Sequence, residues 1–528
     1  MVEGVPGLSL EDDGVEPAVA HRQPVTAFVG RTLKGPLHRP VPVTSFTQFQ
    51  QIFGGLWQLS TLSYAVEQFF ASGGGKALVV RVANGARSPS LTLPAGSGAL
   101  RLAGVHPGSR EYLRAPVDYD GIAENDAVFN LVLQRVRAAG SERVEDQEIF
   151  RRVSLVPESD RFVTDVLVHS QLARAIAPLP PQRPERSGPG PGGFSIGYVG
   201  SNSDGDDGGP ITDYDLIGSA SEGTGLFALA AEAFDFLCVP PLTREQDVGL
   251  GTLLVAARLC RERHALLIVD PPSGWDSPQE ALVAMRKWPF RSDHAVMYYP
   301  RLRALDRLRG RLETFACCGA AAGLISRAEE SQPMGAGEEE SVLRAGLQPA
   351  VEVSLSQRAR LALTGINTLV ATRSGAEPAV SARTLAAGAN GSPDWKFLSA
   401  RRLALRIAAS VERGTRWMLF EQNAPATWAR GRSLVDAYLQ RLAADGAFAG
   451  DSREERYFVV CDERINHPQS IAAGRVNLLF GIAARRAGEF DTWLVSHQPA
   501  ASRARPVSVN RLAMRPPGEW PAESTIRH

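Results

Sequence analysis

Apolar and polar positions along this chain switch between a period near two and a period near 3.6, the spacings of strands and helices. Residues 25–36 read as a short apolar strand closed by a Gly/Pro turn. In the VTSFTQFQQIFGG that follows, Ser45 or Thr47 caps a short helix carrying Phe49, Ile52 and Phe53 on one side. A second helix, LSYAVEQFFASGG, stops at Gly73, Gly74 and Gly75 and leads into a strand at 76–82. This strand–helix–helix–strand order predicts the start of an α/β layer.

From about residue 84 to 177 the helical spacing gives way to β-like runs at 129–137, 153–157 and 162–170. The Pro/Gly-rich stretch 178–193 marks an exposed linker, and 201–210 is a second polar loop. The α/β alternation then resumes. Residues 227–241 read as a helix running into a strand, and 246–262 as a helix burying Leu250, Leu253, Leu254, Ala257 and Leu259. Residues 264–272 and 294–302 are apolar on both faces, as central parallel strands are. A polar loop at 329–341 precedes the last domain.

The fold class expected is α/β of a mixed α+β kind, divided among several domains. An N-terminal arm occupies 1–24, and a discontinuous α/β middle domain 25–85 and 194–350. A β-rich insert with its linker occupies 86–193, a C-terminal α/β domain 351–488, and a C-terminal arm and tail 489–528.

The last third holds GINTLV (365–370), SARTLAAG (381–388), an amphipathic run (395–423), YFVVCDERIN (457–466) and GRVNLLFGIAARRAGEFDTWLV (474–495). In that order these segments resemble the C-terminal domain of contractile tail sheath proteins. Those proteins form the outer cylinder of contractile phage tails, R-type bacteriocins and related injection systems. AFVGRTLKGP, SYAVEQFFASGGGKALVVRV, the strand ending in VDPP, and VMYYPRL before GAAAGLISRAEE extend the resemblance to about four-fifths of the chain. Two departures stand out. SQPMGAGEEESV occupies the place of an R-G-x-W-x-x-P-A type segment, and about thirty residues follow Ser496.

The resemblance implies a structural subunit that polymerises around an inner tube and contracts without nucleotide to drive that tube forward. Its implied partners are further copies of itself, the inner tube protein, and baseplate and terminal cap proteins. It also implies that the terminal segments 1–22 and 489–496 add strands to neighbouring subunits. Val5, Leu8 and Leu10 would lie in one arm and Phe490, Thr492, Trp493 and Val495 in the other. The acceptor sheet would hold Phe458, Val460, Leu478, Phe480 and Ile482. For the helix at 395–413 two readings stand: a core-packed helix with a solvated face, or one whose Arg401, Arg402 and Arg406 face the tube.

Composition adds limits. The apolar share of 44% and charged share of 22% are those of a soluble globular protein. Zero formal net charge provides no overall field toward nucleic acid or anionic membrane. No apolar run approaches the roughly 20 residues of a membrane span, and the N-terminus lacks the apolar core of a signal peptide. These limits lead to the expectation of a protein made in the cytosol, with no nucleic acid bound and no membrane insertion, and the resemblance implies assembly in a bacterium, then residence in a phage tail or tail-like particle. Apart from Lys34, Lys76, Lys287 and Lys396 every basic residue is arginine, which fits a GC-rich genome or two-pronged interface pairing. From 351 onward basic residues outnumber acidic ones 24 to 16. Five cysteines without a C-x-x-C pair read as buried thiols, with adjacent Cys317 and Cys318 a redox pair as the minor alternative.

Chemical motifs are sparse. Ser195 sits in a G-x-S-x-G, but a Pro/Gly linker precedes it and a Gly/Asp loop follows, where a nucleophile elbow needs a strand and a helix. Ser72 to Ala77 resembles a phosphate loop but lacks its first Gly and its metal-binding hydroxyl, so it reads as a helix stop. Asp270 ends a strand before two prolines and reads as a turn cap rather than a catalytic carboxylate. No histidine pair has ligand spacing. No catalytic, cofactor or metal site is expected. The alternatives are a baseplate or cap component sharing the C-terminal domain, or a serine hydrolase using Ser195.

Overall fold

The computed structural model describes residues 23–123, 126–188, 197–201, 204–331, 342–344, 346–371, 381–387, 394–499 and 501–507. The chain opens with β1 (Val25–Gly30), β2 (Val41–Val43), α1 (Phe46–Phe53), α2 (Thr61–Ala71) and β3 (Lys76–Arg81). Ser45 caps α1 by accepting from the Gln48 N–H, and Ser60 caps α2 from Ser63. After α2, Gly73 takes a φ of +102°, which ends the helix and turns the chain into β3.

The next stretch holds β4 (Ser90–Ala95), β5 (Gly98–Gly104), β6 (Tyr112–Ala115), β7 (Val117–Asp118), β8 (Val128–Val136), β9 (Val144–Ser154), α3 (Val163–Leu167), β10 (Ala173–Ile176) and β11 (Val199–Gly200). These strands form two antiparallel sheets around their own core of Leu93, Leu102, Phe129, Leu131 and Val153. Buried Arg81 ties this part to the rest by donating to the Gly35 and Pro107 carbonyls, both at 2.7 Å. The run 162–170, read as a strand, is instead the helix α3. Val163 and Leu167, four apart, are both fully buried in that core while Asp165 between them is exposed, a helical rather than alternating burial.

The α/β alternation returns with α4 (Asp213–Ile217), β12 (Phe236–Cys238), α5 (Leu250–Glu262), β13 (Leu266–Val269), α6 (Pro278–Arg286) and β14 (Ala295–Tyr299). A hairpin, β15 (Leu302–Asp306) and β16 (Arg311–Phe315), precedes α7 (Cys318–Ser331), β17 (Gln348–Pro349), α8 (Leu355–Thr364) and β18 (Ile366–Thr368). The central sheet runs β18-β14-β13-β12-β1-β3-β2, parallel except for β2 against β3. Its strands alternate between two cores. Phe28, Phe236, Ile268 and Tyr298 face one side, and Val29, Leu237, Leu267 and Met297 the other.

Three expectations shift here. GINTLV, read as opening the last domain, supplies β18 and extends the central sheet, because 366–368 pair in parallel with β14. In α5, Leu253, Ala257 and Leu259 are buried, but Leu250 and Leu254 are 41% and 54% exposed. Those two leucines lie beside the sheet-facing stripe, not on it. The helix read within 227–241 is a short 3-10 turn at Gly225–Leu229 ahead of β12.

The chain finishes with α9 (Leu398–Gly414), α10 (Pro425–Ala444), α11 (Arg453–Arg456), β19 (Tyr457–Val460), α12 (Pro468–Ala472), β20 (Val476–Ile482), β21 (Asp491–Gln498) and β22 (Ala501–Pro506). The four strands form one antiparallel sheet in sequence order. Leu478, Phe480, Trp493 and Val495 from this sheet share a core with Leu403, Ile407 and Val411 of α9 and with Leu439 of α10.

Helices α2 and α7 approach closely because α7 presents glycines to α2. A Cβ on Gly319 would lie 2.0 Å from the Ala65 carbonyl oxygen, and one on Gly323 2.4 Å from that of Phe69. We predict that Gly319→Ala lowers stability by about 2 kcal/mol or more through overpacking. Urea unfolding checks this, and an unchanged midpoint would contradict it.

Candidate assembly interface

The C-terminal sheet and the central sheet meet across α9, so the residues of that helix set how the two are held. Nearly every position from Leu398 to Ala408 is buried, and Arg401 is fully so. A buried guanidinium is tolerable only when it is ion-paired and hydrogen-bonded. Arg401 has an ion pair to Asp293 at 2.7 Å and a hydrogen bond to His294 Nε2 at 2.7 Å. His294 Nδ1 lies 3.0 Å from the Ala265 carbonyl, so that nitrogen donates and Nε2 accepts from Arg401. The guanidinium also lies over Trp395 at 4.5 Å and Trp493 at 5.5 Å, and Trp395 Nε1 donates to Asp491 at 2.8 Å. One side chain therefore joins the loop before β14, the helix, and strand β21.

A second tie lies further along α9. Glu412 Oε2 lies 2.9 Å from His264 Nε2 and accepts from the Ala504 N–H of β22 at 2.7 Å. Burial pushes the Glu412 carboxyl up, but the bonds from His264 and Ala504 hold it below the ordinary range. At the helix end Thr415 donates to the Val411 carbonyl and lies 2.8 Å from His497 Nε2, whose Nδ1 lies 2.9 Å from the Ser502 hydroxyl. Burial pushes His497 down to about 4 and His294 down to about 3, so both are neutral at pH 7.

The structure corrects two groups of predicted residues. Arg401 and Arg402 do not face outward: Arg401 is 0% exposed, and Arg402 is 8% exposed with its guanidinium over Phe236. Arg406 is half-buried. Packing between two sheets leaves this part of α9 no broad solvated side. Segment 489–496 is likewise not an extended arm in the chain. Phe490 packs edge-on against Phe458 at 5.1 Å, while Thr492, Trp493 and Val495 are buried in β21. That strand pairs with β20 over seven residues and with β22 over six. The reason is physical: β20 is buried along its whole length, and β21 satisfies an edge that would otherwise be unpaired.

Leu478, Phe480 and Ile482 of the expected acceptor sheet therefore sit in a strand already paired on both edges. Phe458 and Val460 belong to β19, an outer strand paired only with β20 among the described strands. The other outer strand, β22, is partly closed: Glu412 takes the Ala504 N–H, and Pro506 has none to offer. Val5, Leu8, Leu10 and Ser195 lie outside the described residues. Asp270 caps α7 by accepting from the Cys317 and Cys318 N–H groups at 2.7 and 2.8 Å. All five cysteines are buried and free. Among the described residues no group of three His, Cys, Asp or Glu could hold a metal, and no helix is long and apolar enough to cross a membrane.

Two predictions follow from the α9 ties. Arg401→Ala leaves Asp293 and His294 without their partner and costs about 3–5 kcal/mol, whereas Arg413→Ala at an exposed site costs under about 0.5 kcal/mol. Equal unfolding midpoints for the two variants would contradict the anchor. For pH, an unfolded histidine binds its proton near 6.5, but His497 in the folded chain does so only near 4. The unfolded state thus binds more protons between those values, and stability falls as pH drops from about 6.5 toward 4. His497→Gln keeps a polar partner for Thr415 without titrating, so its melting temperature changes less over that window. An identical pH slope in the two proteins would contradict the assignment.

No protein-family model matches this sequence, and no curated protein matches it. Solved structures do match in fold. A sheath tail protein from Listeria innocua aligns with a TM-score of 0.61 at 11% identity, covering 92% of this chain and 97% of that one. The sheath complex of PVC, an extracellular contractile injection system, in its contracted state aligns with a TM-score of 0.51 at 16% identity, covering 93% and 96%. The contracted helical sheath of the anti-feeding prophage aligns with a TM-score of 0.51 at 17% identity, covering 93% and 98%. Over nearly its entire length, this chain has the fold of sheath tail proteins and contractile injection system sheaths.

Proposed function

We propose that this chain is the structural subunit of a contractile sheath, assembling with copies of itself into a helical cylinder around an inner tube. The supporting observation is that its fold matches contractile sheath proteins over more than nine-tenths of its length, not in one domain alone. An accessory protein borrowing one sheath domain would match over part of its length. In this reading the activity is mechanical: subunits assemble in a strained lattice and gain contact on relaxing, with the lattice as the bistable element. Baseplate and cap proteins bound the cylinder, and the particle is a phage tail or tail-like device assembled in the bacterial cytoplasm. Ser195 has no catalytic part in it.

Subunits are linked through residues 1–22, which add a strand to a neighbour's C-terminal sheet with Val5, Leu8 and Leu10 supplying apolar side chains. The favoured acceptor is β19, because Glu412 and Pro506 obstruct β22. Main-chain pairing of this kind tolerates rotation of the joined bodies, as contraction requires.

The full-length chain, overexpressed and viewed by negative-stain microscopy, is expected to give hollow striated cylinders. Removing residues 1–22 should leave a folded subunit, by circular dichroism, that forms none. Cylinders of normal length from the truncated chain would refute the arm. Full-length protein that stays monodisperse at high concentration would refute the subunit itself.

A further inference from the structure

The helices on the Leu237–Leu267 side of the central sheet carry two surfaces of opposite charge. At one end α6 and α8 finish together, because Arg291 donates to the Met285 carbonyl at 2.7 Å and to the Thr364 carbonyl at 2.8 Å. Val283 and Leu363 are 49% and 61% exposed there. Arg286, Lys287 and Arg360 are exposed beside them, and none of the three is in an ion pair among the described residues. Glu280, one turn before Val283, is held by the α6 cap, where it accepts from the Asp276 and Ser277 N–H groups. Cations near helix C-termini also offset the helix dipole. That role gives no account of two large apolar side chains left in water beside them.

At the other end is α4. Its Tyr214 is 86% exposed, Glu222 is exposed and Asp215 half-buried. Residues 187–243 contain eight acids and no Lys or Arg, so this stretch has no cation of its own to offset them. Arg31 and Arg81 behind it are buried and donate to main-chain carbonyls. Arg258 and Arg261 lie more than two turns along α5 from Gly249, and Arg258 is paired with Glu262. The surface is fixed at Gly249 itself: Asp213 accepts from its N–H at 2.8 Å and from the Thr252 hydroxyl at 2.5 Å. Helix α8 packs on β18, while α4 packs on the 3-10 turn at 225–229, which packs on β3. Five strand spacings, about 24 Å, separate β18 from β3, so the two surfaces cannot meet within one subunit.

We infer that the Val283–Leu363 surface docks on Tyr214 of a second copy of this chain, with Arg286, Lys287 and Arg360 facing Glu222 and Asp215. An aromatic ring seated against two aliphatic side chains supplies burial, and the opposed charges around it set register. The two surfaces complement each other and not themselves, so the contact is heterologous. Each copy keeps one free surface of each kind, and repetition closes a ring or propagates a helix instead of stopping at a dimer.

The inference rests on the self-assembly reading above and adds a contact apart from the C-terminal sheet. Leu363→Cys with Tyr214→Cys in the full chain puts one thiol on each surface. The five native cysteines are buried, so the introduced pair alone is accessible. Cylinders of this double variant, oxidised with copper phenanthroline, are expected to give a ladder of cross-linked chains on denaturing gels. An equimolar mixture of the two single variants should stop at dimers. Val283→Cys in place of Leu363→Cys provides a second pairing. Separately, Arg286→Glu with Arg360→Glu is expected to raise the concentration for half-assembly about tenfold or more. Both sites are exposed, so circular dichroism and melting temperature should match wild type. Cylinders that give no ladder from either cysteine pairing, or an unchanged half-assembly concentration, would overturn the inference while leaving the subunit reading intact. A wild-type chain without cylinders would overturn the subunit reading and the contact with it.

Discussion

Everything in the C-terminal part depends on burying one cation. Arg401 lies where two sheets and a helix converge, and it is retained only because Asp293, His294, Trp395 and Trp493 surround it. A cation in such a place gives little net stability over a well-packed apolar residue, but its bonds are directional, so it can fix one arrangement among several. Its partners come from the loop before β14, from the turn at 394–396 ahead of α9 and from β21. Glu412 repeats the device one end further on, joining His264 of the central unit to the edge of β22. Two polar ties along one helix resist both sliding and rotation of the C-terminal sheet against the central one.

In the proposed function, that rigidity bears directly on mechanical work. A lattice that stores strain between subunits needs bodies that do not yield internally, and connections between bodies that do. Buried apolar contact from Leu403, Ile407 and Val411 supplies the first. In the proposed function, main-chain pairing at an outer strand edge supplies the second. The asymmetry of the two outer strands then matters, since one edge is obstructed by a glutamate and a proline while the other has no second strand beside it among the described residues.

Much of the fold was legible where a single physical pattern dominates. The apolar strands 266–269 and 295–299 and the capped helices at Ser45 and Ser60 follow from periodicity and from capping chemistry. Errors arose where tertiary context overrides local pattern. Val163 and Leu167 satisfy either period in so short a run, and only the surrounding core makes them helical. Arginines 401 and 402 read as a solvated stripe because charge ordinarily faces water, yet Asp293, His294 and Asp491 are distant in sequence and could not be foreseen as partners. Trp493 and Val495 look like a strand seeking a partner, which is right. That the partner is β20 of the same chain depends on the turn at 483–490, which no periodicity encodes. His497 and Glu412 carried one usable signal: titratable residues set within otherwise apolar or helical runs.

Amide hydrogen exchange on β19, compared between subunit and cylinder, tests the central claim most directly. The Val459 amide, which points away from β20, is expected to exchange readily in the isolated subunit and become protected on assembly, while Tyr457, which donates to the Arg453 carbonyl, and Ala504, already bonded to Glu412, change little. Equal exchange at Val459 in both states would contradict a strand being added at that edge.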